Sequence, residues 1–257
     1  RRQRGADLRY TLEVTFEEAA NGCEKTINFM RHRPCTTCKG TGAKGGEAPQ
    51  PCAQCGGSGE VRFQQGFFAV SRPCPQCQGE GTVIKHPCGS CHGHKMTQVP
   101  TKLAVSVPAG VNTGQRLKLK NEGDAGGNNG PAGDLYVVIQ LAAHPLFERD
   151  DDDIICEVPI SISEAAIGTE LSVPTLSGKV SLKIPPGTPS AKTFRVKGKG
   201  FPRLGGYGSG DLFIKVVVDV PEHLSHEQKE LLKKFDAIGG ETPLKKEYKE
   251  KLKHLKR

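Results

Sequence analysis

Tryptophan is absent from this 257-residue chain, and aromatic residues make up only 5% of it. So few rings leave little for stacking on nucleic-acid bases. No apolar run approaches the roughly 18 residues that would cross a bilayer. The mean hydropathy of −0.44, with 35% hydrophobic residues, is that expected of a soluble protein. Arg1 is no initiator and no signal-peptide pattern follows it, so the chain reads as part of something longer. No Ser/His/Asp set, phosphate-binding loop or HExxH motif occurs, and no enzymatic activity is expected. What abounds is turn chemistry. Glycine (32) and proline (18) together form about a fifth of the residues. The length suits two or three modules rather than one small core.

The net charge of +8 points to an acidic partner until it is mapped. Residues 1–10 carry +3 and residues 245–257 carry +5, which leaves 25 basic and 25 acidic residues among the other 234. The body is balanced and the excess sits in its two ends. Binding to a phosphate backbone needs clustered Lys and Arg, which the body lacks, so nucleic acid is not an expected partner.

Eight of the ten cysteines fall in C-x-x-C pairs: Cys35/Cys38, Cys52/Cys55, Cys74/Cys77 and Cys88/Cys91. Each pair lies in a near-copy of one nine-residue device, PCTTCKGTG, PCAQCGGSG, PCPQCQGEG and PCGSCHGHK, all within residues 34–95. Two thiolates so spaced supply half a tetrahedral zinc site from one tight turn, so four pairs imply two Zn2+ ions per chain. The glycines behind each pair permit positive φ and let backbone N–H groups approach sulfur. The fourth copy keeps Gly93 but is read as having His94 where the last glycine should be. Between the second and third copies lies EVRFQQGFFAVSRP, two strand-like runs around Gly66. A hairpin there would set knuckle two against knuckle three. The favoured grouping is therefore nested, with Cys35, Cys38, Cys88 and Cys91 on one zinc and Cys52, Cys55, Cys74 and Cys77 on the other. Sequential grouping, one with two and three with four, is the alternative. A disulfide framework lacks a secretion signal to support it, and a redox C-x-x-C belongs at a helix start in a βαβ setting. Cys23 and Cys156 read as small, partly buried residues, and His92 and His94 as exposed bystanders.

A second repeat surrounds the first. VSVPAGVNTGQRLKLKNEG from Val105 matches LKIPPGTPSAKTFRVKGKG from Leu182 at an offset of 77, and Gly133-Asp134-Leu135 falls on Gly210-Asp211-Leu212 at the same offset. DLRYTLEVTFEEAANG from Asp7 matches DIICEVPISISEAAIG from Asp153 at an offset of 146. The offsets differ by 69, the length of the cysteine region from about Arg31 to Pro100. Two homologous modules therefore exist, and the cysteine region interrupts the first.

TLEVTF, EVPISI, KTINFM, LAVSV, RLKLK, DLYVVIQL, KVSLKI, FRVKG and DLFIKVVVDV alternate as strands do. EEAA and SEAA read as single helical turns at most. The expected fold is mainly β: two tandem homologous β-sandwich-like domains, a cysteine-rich two-zinc β-hairpin insertion in the first, and a C-terminal helix. The expected boundaries are 1–30 with 101–150 for the first β domain, 31–100 for the insertion, 151–222 for the second domain and 223–257 for a helical segment. In that segment Leu224 precedes a capping box of Ser225 and Gln228. Leu231, Leu232, Phe235 and Ile238 then share one face, as do Leu244, Tyr248, Leu252 and Leu255 after Gly239-Gly240. Such stripes either fold back on their own module or are covered by a second copy, and the second reading is favoured.

Four C-x-x-C-x-G-x-G repeats interrupting the first of two tandem β modules resemble the body of a zinc-containing DnaJ-type co-chaperone, as do VPAGVNTGQRLKLKNEG and HPLFERDDDD at 144–153. The resemblance covers essentially the whole chain. The His-Pro-Asp tripeptide of the family's J domain is missing, as is its glycine/phenylalanine linker. The resemblance implies a region that holds unfolded client polypeptides and passes them to a DnaK-type chaperone without driving that partner's ATPase. The C-terminal stripes point to a homodimer through that segment, and eight cysteines that must stay reduced favour a cytoplasmic setting, with no membrane partner expected. The family's client pocket lies beside the second strand of the first β domain. Carried onto this sequence it comprises Ile27 and Phe29, with Leu12, Leu103 and Val137 as walls, and the period-2 spacing of Ile27 and Phe29 agrees with one strand face. By the same resemblance the zinc on Cys52, Cys55, Cys74 and Cys77 serves client handover.

Overall fold

The computed structural model describes residues 2–65 and 68–255. It is mainly β. The first module opens with β1 (Leu8–Val14), α1 (Phe16–Asn21) and β2 (Cys23–Pro34). The cysteine region follows with β3 (Gln50–Pro51), β4 (Glu60–Gln65), β5 (Phe68–Pro73) and β6 (Thr82–Val83). β7 (Met96–Val107), β8 (Arg116–Leu119), β9 (Leu135–Leu141) and β10 (Phe147–Asp150) return to the module. Next come β11 (Asp153–Ser161), α2 (Ile162–Ile167), β12 (Thr169–Thr175), β13 (Gly178–Ile184), β14 (Thr193–Val196) and β15 (Leu212–Asp219). The chain closes with α3 (His226–Ile238) and α4 (Pro243–Leu255). Backbone contacts divide it into two units, Arg1–Ile155 with Val196–Leu212, and Cys156–Arg195 with Phe213–Arg257.

The repeat read from sequence is carried into hydrogen bonds. α1 and α2 each begin at a capping box, Thr15 with Glu18 and Ser161 with Glu164. Both run six residues, longer than the single turn expected, because each cap satisfies the first orphan N–H groups. β2 pairs β7 antiparallel with Cys23 opposite Val107 and Ile27 opposite Leu103. The equivalent β12–β13 pair sets Thr169 opposite Ile184 and Val173 opposite Val180. In the second pair a two-residue turn, Leu176-Ser177, joins Thr175 to Gly178. The matching point of the first pair is Phe29 opposite Thr101, and there the ladder instead continues to Pro34 opposite Met96. The insertion thus replaces a hairpin turn, which leaves the host ladder intact.

β1 lies parallel to β9, and β8 lies antiparallel on the far side of β9. The other multi-stranded sheet runs β10-β11-β15-β14. Asp134 pins the first sheet at the start of β9. Its carboxylate accepts from the Asn121 N–H at 2.9 Å and meets Lys118 at 2.9 Å and Arg4 at 2.8 Å. Its own N–H donates to Asp7 Oδ1 at 2.7 Å. Asp211 repeats the device, accepting from the Gly198 N–H and donating to Asp153. Around the first aromatic helix residue, Phe16 meets Phe201 edge-on at 4.8 Å, and the Arg149 guanidinium lies 3.7 Å from the Phe201 ring centre.

The tail holds two helices rather than one, parted at Gly239, where the backbone turns extended. The Ser225–Gln228 capping box is present. Leu231, Leu232, Phe235, Ile238, Leu244 and Tyr248 are all exposed, so their stripe is not folded onto the chain's own core. No helix is long and apolar enough to cross a membrane among the described residues. Cys156 is buried and Cys23 half-buried.

The Asn121 N–H, Lys118 and Arg4 together hold the Asp134 carboxyl below its ordinary 3.8. A lowered folded-state pKa stabilises the protein above the ordinary value, and that contribution is lost as pH falls through the folded value. Asp134→Asn should therefore lower the urea midpoint at pH 7 and flatten its decline below about pH 4. Urea unfolding followed across that range checks it; a variant with the parent's acid limb would remove Asp134 from the account.

Candidate metal centres

The cysteine region is one long hairpin interrupted twice. Above Pro34–Met96 come Cys35 and Cys38 facing Cys88 and Cys91, then an Ala43–Pro87 bridge and the β3–β6 pair. Cys52 and Cys55 then face Cys74 and Cys77, and the β4–β5 pair closes the far end. Gly66, at the expected tip, lies outside the described residues. The sulfurs gather in the nested grouping, and within each group all four lie within 4.8 Å of one another.

Sγ–Sγ separations are 4.0 Å for Cys35–Cys88, 3.7 Å for Cys38–Cys91, 3.8 Å for Cys52–Cys74 and 3.7 Å for Cys55–Cys77. A disulfide would require about 2.05 Å. Four sulfurs placed tetrahedrally at about 2.3 Å from zinc would be separated by about 3.8 Å. The donor set therefore fits Zn2+ in geometry as well as in chemistry. His92 and His94 are exposed and join neither group.

Each knuckle is folded by three residues at positive φ. The third of these lies four residues beyond the second cysteine: Gly42 (80°), Gly59 (76°), Gly81 (74°) and Lys95 (67°). Lys95, rather than His94, thus occupies the last glycine's place, and its side chain pairs with Glu80 at 2.8 Å. Turned this way, the Gly42, Gly59 and Gly81 N–H groups donate to Cys38, Cys55 and Cys77 sulfur at 3.3, 3.2 and 3.3 Å. Partner knuckles also exchange backbone bonds. The Cys52 N–H reaches Gly81 O and the Cys74 N–H reaches Gly59 O, both at 2.9 Å. The Cys35 N–H reaches Lys95 O at 2.9 Å and the Cys88 N–H reaches Gly42 O at 2.8 Å.

Electrostatics follow the same plan. Burial raises the Cys38 thiol, but the Gly42 and Gly40 N–H groups and the neighbouring thiols outweigh it and bring it to about 6. Burial likewise opposes the Gly59 and Gly57 donors at Cys55, which also falls to about 6. Cys77 and Cys91 are pushed up to about 11, chiefly by burial. A cation entering either group would displace the remaining thiol protons.

The five residues expected around a client divide by burial. Ile27 (1% exposed), Val137 (0%) and Leu12 (7%) are buried, whereas Phe29 and Leu103 are half-buried. Ile27 and Phe29 share one face of β2, and Leu103 opposes Ile27 on β7. Among the described residues, β2 borders no strand but β7. On its other edge the His32 carbonyl accepts from Ala125, and the His32 N–H donates to Asp124. Among the described residues, residues 24–31 of β2 make no backbone hydrogen bond outside the β2–β7 ladder.

Geometry and sequence together define a duplicated β scaffold whose first copy carries an arm with two four-cysteine groups. The family described as DnaJ C terminal domain matches residues 8–221, and the chain belongs to it. It is 46% identical over 236 residues to the Chaperone protein DnaJ of Nitrosomonas europaea, covering 92% of this chain and 64% of that protein. Identity is 51% over 257 residues to its counterpart from Syntrophotalea carbinolica (99% and 69% covered) and 48% over 243 residues to that from Cereibacter sphaeroides (94% and 64%). The chain thus spans about two thirds of the length of these relatives.

Gly59→Ala should empty the second centre alone. Its Cβ would stand 2.5 Å from the Gly79 carbonyl, at a φ that alanine resists. Loaded with excess zinc, the variant should hold one ion per chain fewer than the parent, with the β-sheet circular dichroism retained; an equal zinc content would contradict the geometry.

Proposed function

We propose that this chain binds unfolded polypeptides by adding them as a strand to the open edge of β2, limits their aggregation and releases them to a DnaK-type ATP-dependent chaperone. It acts by binding and carries out no catalysis of its own. The observation that carries this reading is the unpaired β2 edge beside half-buried Phe29 and Leu103. Main-chain hydrogen bonds are blind to client sequence, and alternate client side chains meet whatever apolar surface flanks the edge. Leu12, Ile27 and Val137 would form the floor of that surface, and Phe29 and Leu103 its accessible rim. Loop residues 124–125 limit the usable edge at His32. Burying one client leucine contributes roughly 1.5–3 kcal/mol, less the cost of ordering the client, so single-site binding is weak and reversible.

Both four-cysteine groups hold Zn2+ in this reading, the second one serving handover. In the same reading the modules are 1–30 with 101–150, 31–100, 151–222 and 223–257. The exposed stripes on α3 and α4 are covered by a second copy of the chain, and two linked client sites in such a dimer raise affinity through effective concentration. The protein works in the cytoplasm, whose reducing conditions keep its cysteines free to ligate metal.

Phe29→Ser tests the site, since Ile27 is too buried to be changed without a cavity. The variant should suppress aggregation of a chemically unfolded test protein about tenfold more weakly, the equivalent of about 1.4 kcal/mol. Its melting temperature should stay near the parent's. Full suppression by the variant would move the site elsewhere, and a large loss of thermal stability would make Phe29 a core residue.

A further inference from the structure

The two centres share one knuckle but differ in what lies over the sulfurs. The third position of each C-x-x-C turn faces its counterpart across the pair. In the first centre these positions are Thr37 and Ser90, whose hydroxyl oxygens lie 2.9 Å apart and bond each other. In the second they are Gln54 and Gln76, and each reaches across to the first cysteine of the opposite knuckle. Gln76 Oε1 lies 3.4 Å from Cys52 Sγ, and Gln54 Oε1 lies 3.7 Å from Cys74 Sγ. Cys52 and Cys74 are fully buried whereas both glutamines are exposed, so the amides form the outer layer over these sulfurs.

We propose that Gln54 and Gln76 are positioning residues of the second metal centre, each donating an amide N–H to a metal-bound thiolate and so slowing loss of that metal. The proposal rests on the reading of the cysteine groups as metal centres. A protonated thiol donates to an amide oxygen, whereas a metal-bound thiolate has no proton and only accepts. The same contact then requires Nε2 toward sulfur. That is a half-turn of the terminal amide, in which nitrogen and oxygen exchange places within one outline. With it, all four sulfurs of the centre have a named donor: Gly59 for Cys55, Gly81 for Cys77, Gln76 for Cys52 and Gln54 for Cys74. Each such bond draws charge from a centre that carries a formal −2, and it lowers the energy of the sulfur lone pairs. The second centre has the greater need, because Cys55 is half-exposed while all four cysteines of the first are buried.

Cobalt(II) loaded into the whole chain gives the test, by chelator competition and by the sulfur-to-cobalt charge-transfer absorption. In the Gln54→Leu/Gln76→Leu variant, one of two cobalt ions should leave at about 10- to 100-fold lower chelator concentration, as for other lost outer partners of metal ligands. Its charge-transfer band should move to lower energy. Gln54→Glu/Gln76→Glu should bind that ion more weakly still, since a carboxylate only accepts and adds negative charge. Thr37→Val/Ser90→Ala should leave both band energies in place. A leucine variant with the parent's chelator curve overturns the proposal, and so does faster loss with an unmoved band, which packing alone would cause. A parent chain that takes up no cobalt overturns the metal reading beneath it.

Discussion

The cysteine arm depends on the reciprocal exchange between facing knuckles. The first cysteine of each turn donates its N–H to the carbonyl of the residue that ends the other turn, at 2.8–2.9 Å in all four cases. That exchange pairs the first turn with the fourth and the second with the third. It also sets four sulfurs at tetrahedral spacing, so one arrangement serves backbone and ligand alike. Gly59 and Gly81 show how tight it is, since a Cβ on either would meet the carbonyl of Gly79 or Gly57 at 2.5 Å. Around the second centre, Cys55, Val61 and Val83 are the partly buried apolar residues that flank the buried cysteines among the described residues. A two-stranded hairpin is marginal in water, whereas structural zinc contributes about 10–16 kcal/mol in small zinc-binding peptides. A metal bound at each four-cysteine group would add to the backbone exchange what a small core supplies elsewhere.

The host module bears this arm at little cost because the arm replaces a turn. Register is shared through Phe29–Thr101 and Thr175–Gly178, and only beyond that point do the copies part. The ladder that carries the arm is also the one whose outer edge is open beside Phe29. Arm and proposed client edge therefore lie on one continuous strand, β2. Arg31, buried between Phe29 and the arm, donates to Thr101 at 3.0 Å and pairs with Glu122 at 2.5 Å, which stiffens that strand where the two meet.

Much of this was legible in the sequence. The offsets of 77 and 146 recur as matched strands, caps and aspartate anchors, because repeated side chains make repeated hydrogen bonds. The cysteine grouping was legible as a preference, through the hairpin between the second and third knuckles. The third positions carry a sharper signal: CAQC and CPQC share a glutamine there, while CTTC and CGSC share a hydroxyl, and these are the partners in the structure. β10 and β12 were missed. β10 is four residues long and mostly charged, and Pro174 interrupts the alternation in β12. The reach of β2 and β7 into MRHRP and MTQVP was hidden as well, since polar residues carry no period. Lys95 in a glycine's conformation was beyond pattern reading, because nothing in a lysine's side chain marks a positive φ. The parallel pairing of β1 with β9 is a property of the whole module that no local run reveals.

The grouping of the cysteines bears most directly on this account, since the arm, the exchange of backbone bonds and the role given to the glutamines all depend on it. Cadmium-113 in place of zinc, with metal-to-proton correlation through the cysteine Hβ atoms, reads it directly. One cadmium should correlate with Cys35, Cys38, Cys88 and Cys91, and the other with Cys52, Cys55, Cys74 and Cys77. A single cadmium correlating with both Cys38 and Cys52 would contradict the account.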